Sequence, residues 1–196
     1  MNPFRAWRRA ENDWFSVGPT SSFPDLDDTT TALSSPRPCT GLPDPTPGCK
    51  AFHVPKEDTS KRREVPIAED EADATASDTG ADNDLTDQVL VFRYRGKFHA
   101  IDHQCPHASF PLSRGAPFDI EDFGIVLSAG LTCPKHGWSF DLFSGRSDRG
   151  NYRLKVWEVE LRDVSGGQAL KGVEGGEGKE EEMVREVWVR RKPRMG

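Results

Sequence analysis

Two short runs of the chain combine a cysteine with a histidine at close spacing. Cys105 and His107 are separated by one residue, and Cys133 and His136 by two. Thiolate sulfur and imidazole nitrogen are ligands of zinc and of iron–sulfur centres. Each pair follows a predicted strand and leads into a loop that contains proline, so two neighbouring strands would bring both pairs together. These residues therefore predict a metal centre with two cysteines and two histidines.

Short apolar or alternating runs predict the strands that would position these pairs. The predicted strands are residues 13–17, 49–54, 89–94, 97–101, 124–128 with 131–132, 138–142, 154–161 and 184–189. Arg95 and Gly96 join 89–94 to the next strand as a hairpin, and the last two strands are expected to pair as a terminal hairpin. No long segment has a 3.6-residue period, so the sequence predicts an all-β domain, either a sandwich or a barrel.

Three segments differ from the rest in composition and are predicted to be flexible loops. Residues 24–48 hold 6 prolines in 25 residues, and 165–182 hold 6 glycines in 18. Residues 55–88 hold 11 acidic and 4 basic side chains, a local net charge of −7 against −6 for the whole chain. We interpret these segments as insertions within one domain, residues 13–192, preceded by a short leader, 1–12.

The composition excludes several classes of protein. The chain has 196 residues, 35% hydrophobic and 30% charged, and it lacks a run of 18 apolar residues, so we expect no membrane span. The acidic net charge argues against nucleic-acid binding. Four cysteines are too few for a disulfide-dense scaffold. Without a secretory signal we expect a cytoplasmic protein, although the basic leader also resembles a mitochondrial presequence.

The residues that flank the two pairs carry a family resemblance. The segments 105–112 (Cys-Pro-His-Ala-Ser-Phe-Pro-Leu) and 133–141 (Cys-Pro-Lys-His-Gly-Trp-Ser-Phe-Asp) resemble the paired motifs of Rieske iron–sulfur domains. The lead-in 96–102 and the continuation 141–145 match that pattern as well. The resemblance covers most of residues 13–192, interrupted by the three loops.

The resemblance implies a fold, a cofactor and a function. The fold would be Rieske-like antiparallel sheets with a small cluster-binding subdomain. The cofactor would be a Rieske-type [2Fe-2S] cluster, with Cys105 and Cys133 on the inner iron and His107 and His136 on the outer iron. The function would be a soluble, ferredoxin-like one-electron carrier between a reductase and an oxygenase or another acceptor, without substrate turnover of its own.

Four positions depart from the high-potential respiratory members of that family. Phe110 and Lys135 stand where those members form a disulfide, so no such bridge is expected. Trp138 and Phe140 stand where hydroxyl groups would donate hydrogen bonds to the cluster. Since hydrogen bonds to the sulfurs raise the reduction potential, we expect a value toward the lower end of the Rieske range of about −150 to +300 mV.

The loops around the motifs also differ from the family pattern. Ser109 stands where many relatives have glycine. The 25 residues between His107 and Cys133 are more than is usual, and the extra residues are expected around 113–123. The turn 146–153 lacks the proline that is often present in the loop covering the cluster.

Other interpretations of the four residues stay open. Two cysteines and two histidines can bind zinc in a Cys2His2 interaction module, although zinc sites favour Cys–Cys and His–His spacing. A complete oxygenase needs a second iron site with two histidines. The 60 residues after His136 contain none, so the chain would instead be the electron-feeding component of one. A respiratory subunit would need a membrane anchor and the loop disulfide, and we expect neither in this chain.

The remaining thiols and imidazoles are interpreted as non-ligands: Cys39, Cys49, His53, His99 and His103.

Overall fold

The computed structural model describes residues 13–27, 29, 31–38, 44–67, 84–163 and 185–192. In these residues the chain forms thirteen strands, three 3₁₀ helices and no α-helix. The strands are β1 (Phe15–Pro19), β2 (Asp25–Leu26), β3 (Pro36–Arg37), β4 (Thr46–Pro47), β5 (Cys49–His53), β6 (Arg63–Val65), β7 (Gln88–Tyr94), β8 (Lys97–Asp102), β9 (Ala116–Asp122), β10 (Ile125–Cys133), β11 (Trp138–Asp141), β12 (Glu158–Asp163) and β13 (Arg185–Arg190). The 3₁₀ helices are Thr20–Ser22, Thr59–Lys61 and Leu112–Arg114. The expected all-β class is confirmed, and the described part of the chain has no helix suited to crossing a membrane.

The largest sheet is built around β7. This strand pairs antiparallel with β5 and with β8, and its last two residues pair in parallel with β2. β6 extends the sheet beyond β5. The predicted hairpin between β7 and β8 turns at Arg95 and Gly96, whose φ angles of 49° and 73° fit a type I′ turn.

The central strands are buried on both faces, which explains why their sequence reads as a continuous apolar run. Leu90, Phe92 and Tyr94 of β7 point into a core that also contains the two motif cysteines. Val89 and Val91 point to the opposite face, into a second core. Successive side chains of a strand alternate between faces, so β7 joins the two cores.

The second core is closed by a sheet of the order β1–β13–β12. The predicted terminal hairpin is confirmed, because β12 pairs antiparallel with β13. However, β12 begins at Glu158, whereas the predicted strand begins at residue 154. Residues 154–157 run beside β8 through two hydrogen bonds, from the amide of Asp102 to the carbonyl of Lys155 at 2.9 Å and from the amide of Trp157 to the carbonyl of Ala100 at 2.8 Å.

A third sheet, of the order β11–β10–β9, carries the second motif at the end of β10. Most of the segment 113–123, where the extra residues are expected, forms β9, which is not among the predicted strands and pairs with β10 along nearly its full length. This strand is not predicted from the sequence, because the strand contains Pro117 and several acidic residues instead of an apolar run. Proline is tolerated there because β9 lies at the edge of the sheet.

The proline-rich segment 24–48 contains more structure than a flexible loop. Its described residues include β2, β3 and β4, and they bury Leu26 and Leu33 completely in the first core. A Cβ at Gly48 would lie 2.7 Å from the carbonyl oxygen of Leu33, so glycine is needed for this close packing. The segment 55–88 likewise contributes β6. Residues 68–83, the predicted loop 165–182 and the leader 1–12 lie outside the described residues.

One buried side chain makes the stability of the fold depend on pH. His99 of β8 stacks on Phe92 with ring centroids 5.5 Å apart, and burial followed by the charge of Lys97 lowers its pKa from 6.5 to about 4, against the opposing effect of Asp141. The folded state therefore keeps His99 neutral, while the unfolded chain protonates it below pH 6.5. Stability contributed above pH 6.5 is lost as the pH falls toward 4, by up to about 3 kcal/mol.

We expect His99→Phe to reduce this pH dependence, since phenylalanine preserves the stacking and has no proton to gain. The free energy of unfolding should be measured by urea titration at pH 7 and pH 4.5 for both proteins. The wild type should lose about 2–3 kcal/mol more than the variant. Equal losses in the two proteins would show that His99 protonates as easily in the folded state as in the unfolded chain.

Candidate metal centre

The first motif lies in a compact loop that follows β8. The amide of Cys105 donates to the carbonyl of Phe110, and the amide of Ser109 donates to the carbonyl of Cys105, both at 2.9 Å. Ser109 adopts a φ of 50° to close this loop. Glycine would adopt that conformation without strain, which accounts for the usual glycine at the matching family position.

The second motif occupies the tight turn between β10 and β11. Cys133 is the last residue of β10 and is opposite Trp138, the first residue of β11. The amide of Gly137 donates to the carbonyl of Cys133 at 2.9 Å, and Gly137 has a φ of 67°. The turn thus reverses the direction of the chain between β10 and β11, and His136 lies exposed at its tip.

The two loops bring the motif cysteines together in the protein interior. Both side chains are only 1% exposed, and they are close enough to form a hydrogen bond with each other. Burial, and then the neighbouring Cys105, raise the pKa of the Cys133 thiol, while hydrogen bonds from the amides of Lys135 and His136 act in the opposite direction. Backbone N–H groups that donate to a cysteine sulfur are the donors that tune a bound metal centre.

The two histidines meet on the outer side of the cysteines. The ring centroids of His107 and His136 are 5.1 Å apart, with an interplanar angle of 73°. His107 is half-buried, and its Nδ1 atom is buried without a hydrogen-bond partner among the described residues. A buried imidazole nitrogen without a partner is costly unless something binds it. The structure therefore brings the four candidate ligands together in two pairs, Cys105 with Cys133 and His107 with His136.

Two aromatic side chains hold the ring of His107, and neither role was predicted. Trp138 stacks on the imidazole at a centroid distance of 4.1 Å and an angle of 14°. Tyr152 makes edge contacts with both His107 and Trp138, each at 5.1 Å. Sequence reasoning identified Trp138 only as a missing hydroxyl donor. Tyr152 lies in a polar turn with no periodic pattern to single it out.

Residues of the turn 146–153 contact both the Trp138 ring and the backbone of the second motif. The guanidinium of Arg149 donates to the carbonyl of Gly137 at 3.2 Å and lies 5.8 Å from the ring centroid of Trp138. Asp148 pairs with Arg149 at 2.7 Å and accepts a hydrogen bond from the amide of Ser139 at 3.1 Å. The turn therefore covers the site without the proline that the family pattern places there.

A cation–π contact joins the loops where respiratory relatives form a disulfide. The ammonium nitrogen of Lys135 lies 5.6 Å from the ring centroid of Phe110. Cys49, Cys105 and Cys133 all carry free thiols in the described structure, and Cys39 lies outside the described residues. The expected absence of the bridge at positions 110 and 135 follows directly from the residue types.

The remaining candidate ligands lie elsewhere. Both ring nitrogens of buried His103 are hydrogen-bonded, Nδ1 donating to Gln88 Oε1 at 2.8 Å and Nε2 accepting from Ser113 Oγ at 2.9 Å. Cys49 is packed in the first core, where burial raises the pKa of its thiol. These two side chains serve packing and hydrogen bonding.

The comparison with known families agrees with this geometry. Residues 61–157 match the family model of the Rieske [2Fe-2S] domain. The chain contains a Rieske [2Fe-2S] domain. All four candidate ligands lie within the matched range, and this family implies a Rieske-type [2Fe-2S] cluster as the cofactor. Two buried cysteines with one exposed and one half-buried histidine fit such a cluster, in which each iron takes two protein ligands.

Several curated proteins are similar to this Rieske domain. The ferredoxin component of the alkene monooxygenase system of Xanthobacter autotrophicus is 31% identical over 88 residues, which are 44% of this chain and 63% of that protein. The ferredoxin subunit of methanesulfonate monooxygenase from Methylosulfonomonas methylovora is 32% identical over 41% of this chain and 58% of its own length. Mouse apoptosis-inducing factor 3 is 39% identical over 92 residues, which are 43% of this chain but 14% of that protein. The chain thus spans less than two thirds of each of these relatives.

The close fit between Gly150 and Trp138 provides a test of the aromatic contact with His107. A Cβ at Gly150 would lie 2.9 Å from the Trp138 ring, and Gly150 has a φ of 65°. Gly124 has a φ of 77° but no atom within 4 Å of an added Cβ. Gly124→Ala is therefore a matched control that carries only the backbone strain, about 1 kcal/mol.

We expect Gly150→Ala to lower the free energy of unfolding by about 2–3 kcal/mol, because the clash with Trp138 adds to the strain. The half-life of the bound cluster should shorten as well, since Trp138 no longer supports the His107 ring. Unfolding titrations and the decay of visible absorbance measure the two effects. Similar values for both glycine variants would contradict a positioning role for the Trp138 stack.

Proposed function

We propose that Cys105, Cys133, His107 and His136 hold the [2Fe-2S] cluster and that the protein is a one-electron carrier. The observation that carries this proposal is that the two buried thiols contact each other and the two imidazoles contact each other, and that one imidazole has a buried Nδ1 atom without a partner among the described residues. Cysteines of the two loops would bind the inner iron, and histidines of the same loops would bind the outer iron. The cluster, when bound, supplies reversible one-electron transfer.

The surrounding residues define what the protein adds to that chemistry. Amides of Lys135 and His136 donate to the sulfur of Cys133, so they stabilise negative charge on the sulfur. The apolar core around both cysteines excludes water from the inner side. Trp138 and Tyr152 fix the ring of His107. The chain therefore orients all four ligands before an electron arrives, which limits reorganisation when the charge changes.

The exposed edge of the site indicates where electrons enter and leave. His136 is exposed, whereas Cys105 and Cys133 are buried. A redox partner would therefore approach from the histidine side. The similarity to two monooxygenase ferredoxin components supports a reductase as donor and an oxygenase as acceptor. In this proposal the chain relays electrons and does not transform a substrate itself.

Cofactor analysis of the anaerobically purified chain tests the proposed ligands. We expect about two irons and two sulfides per chain and, after reduction, an EPR signal with an average g value below 2. Cys133→Ser should lose the cluster because one inner ligand is gone. Cys49→Ser, which changes an equally buried thiol of the same core, should keep it. Colourless protein with one bound zinc, or an intact cluster in Cys133→Ser, would overturn the proposal.

The histidine ligands are tested through the reduction potential. For the wild type we expect a midpoint in the lower part of the range of about −150 to +300 mV, and a value above roughly +150 mV would contradict this expectation. His107→Cys combined with His136→Cys replaces neutral ligands with thiolates. If this variant assembles a cluster, its potential should fall toward about −400 mV, as in all-cysteine centres. A potential and EPR signal unchanged from the wild type would show that these histidines are not ligands.

A further inference from the structure

The hairpin between β9 and β10 ends in an apolar tip that the described structure does not cover. We define the hairpin tip as residues 121–127, all of which are exposed. Phe123 is 99% exposed, Ile125 and Leu127 are each 65% exposed, and Val126 is 53% exposed. Contiguous exposed apolar side chains of this size mark interaction sites in soluble proteins.

The backbone of the tip presents Phe123 outward at a conformational cost. Phe123 has a φ of 48°, and Gly124 follows with a φ of 77°. These angles fit a type I′ turn, in which a bulky first residue is unfavourable. The base of the hairpin is anchored, since Asp119 forms an ion pair with Arg95 at 2.6 Å and accepts from the hydroxyl of Tyr94 at 2.9 Å. The hairpin, anchored through Asp119, thus holds a strained aromatic residue away from the body of the domain.

A cleft elsewhere on the molecule has complementary chemistry. It has a volume of about 950 Å³ and is lined by residues of β7, β8, the segment 153–157 and the residues that follow β13. Its apolar lining includes Leu85, Phe143, Val156 and Trp157. We call this site the cationic cleft, because its lining contains five basic side chains: Lys56, Arg153, Lys155, Arg191 and Lys192.

The positive charge of the cleft exceeds what its own carboxylates neutralise. Its lining contains two acidic residues, Asp87 and Asp102. Asp87 pairs with Lys56 at 3.1 Å and with Arg191 at 3.3 Å, and Asp102 pairs with Lys155 at 3.3 Å. Five cations against two carboxylates leave a surplus of three positive charges in a chain whose formal net charge is −6. The cleft is therefore suited to an acidic, apolar occupant.

The hairpin tip has both properties, since Glu121 and Asp122 precede Phe123 and the tip contains no basic residue. We propose that the hairpin tip of one copy of this chain docks into the cationic cleft of a second copy. Phe123 would pack against the apolar lining, and Glu121 and Asp122 would face the surplus cations. A lipid surface fits less well, because the acidic residues would be repelled by anionic headgroups.

This association is expected to be weak and dependent on salt. One hairpin tip is a small contact, and small interfaces belong to transient complexes. Charges at the rim of the cleft, such as the largely exposed Lys155, are screened at high ionic strength. The proposal does not depend on the cluster assignment, because neither the tip nor the cleft contains any of the four ligands.

Light scattering after gel filtration, with the full-length holoprotein at increasing concentrations, tests the proposal. The wild type should show a rising average mass at about 20 mM salt and a lower one at about 500 mM. Lys155→Glu with Lys192→Glu reverses the sign of two charges in the cationic cleft. Glu121→Lys with Asp122→Lys reverses the sign of both charges in the hairpin tip. Each pair alone should weaken association at least tenfold. The combination of all four changes should restore it, since the charges again match in exchanged positions.

A control pair with the same change in net charge separates specific docking from general electrostatics. Arg185 and Lys61 do not line the cleft, and Arg185 lies at the opposite end of β13 from Arg191. Arg185→Glu with Lys61→Glu should change the association constant less than twofold. Phe123→Ser should weaken it as strongly as the tip charge reversal. Iron content and EPR signal should be the same in all these variants, which shows that each is folded.

Three results would overturn the inference. The first is a monomeric wild type at all concentrations in low salt. The second is an equal effect of the control pair and the cleft pair. The third is the absence of restoration in the fourfold variant. In each case an intact cluster signal would leave the proposed electron-carrier function standing.

Discussion

The rest of the structure depends on the contact between two thiols that are distant in sequence. Cys105 and Cys133 meet at the edge of the first core, each 1% exposed. Burial raises the pKa of the Cys133 thiol, so its thiolate form needs a counter-charge. A cationic metal centre bound there would supply that counter-charge. The strands β8, β10 and β11 are therefore best understood as the frame that holds two sulfurs at one point.

These strands do not enclose the outer side of the site. That side is covered by side-chain contacts, which are weaker than a covalent link. Lys135 lies against the ring of Phe110, so a cation–π contact joins the two motif loops. Arg149 ties the covering turn to the carbonyl of Gly137. Contacts of this kind contribute about 0.5–2 kcal/mol each, less than a disulfide. The loops of this domain are thus held together without covalent linkage and without a covering proline.

The sequence predicts those parts of the molecule in which local pattern and burial agree. The β7–β8 hairpin was predicted because both faces of β7 are buried and because Arg95-Gly96 fits the turn. The four candidate ligands stand out in the sequence because their spacing and flanks are specific, and their role as ligands stays a prediction. β9 was missed, since an edge strand tolerates Pro117 and acidic residues. Tyr152 was missed because its role depends on how the turn 146–153 folds back over Trp138, which no local pattern encodes.

The two histidines of the site are not equivalent, and the difference has a functional consequence. Trp138 and Tyr152 pack against His107, whereas His136 lies exposed at the tip of its turn. A partner that approaches this surface would therefore contact the His136 ring first. His107, stacked on Trp138, can move little when the charge of the site changes. The geometry would thus leave contact with a partner to His136 and rigidity to His107. The exposure of His136 follows from the turn between β10 and β11, and the packing of His107 follows from Trp138 and from the turn that carries Tyr152.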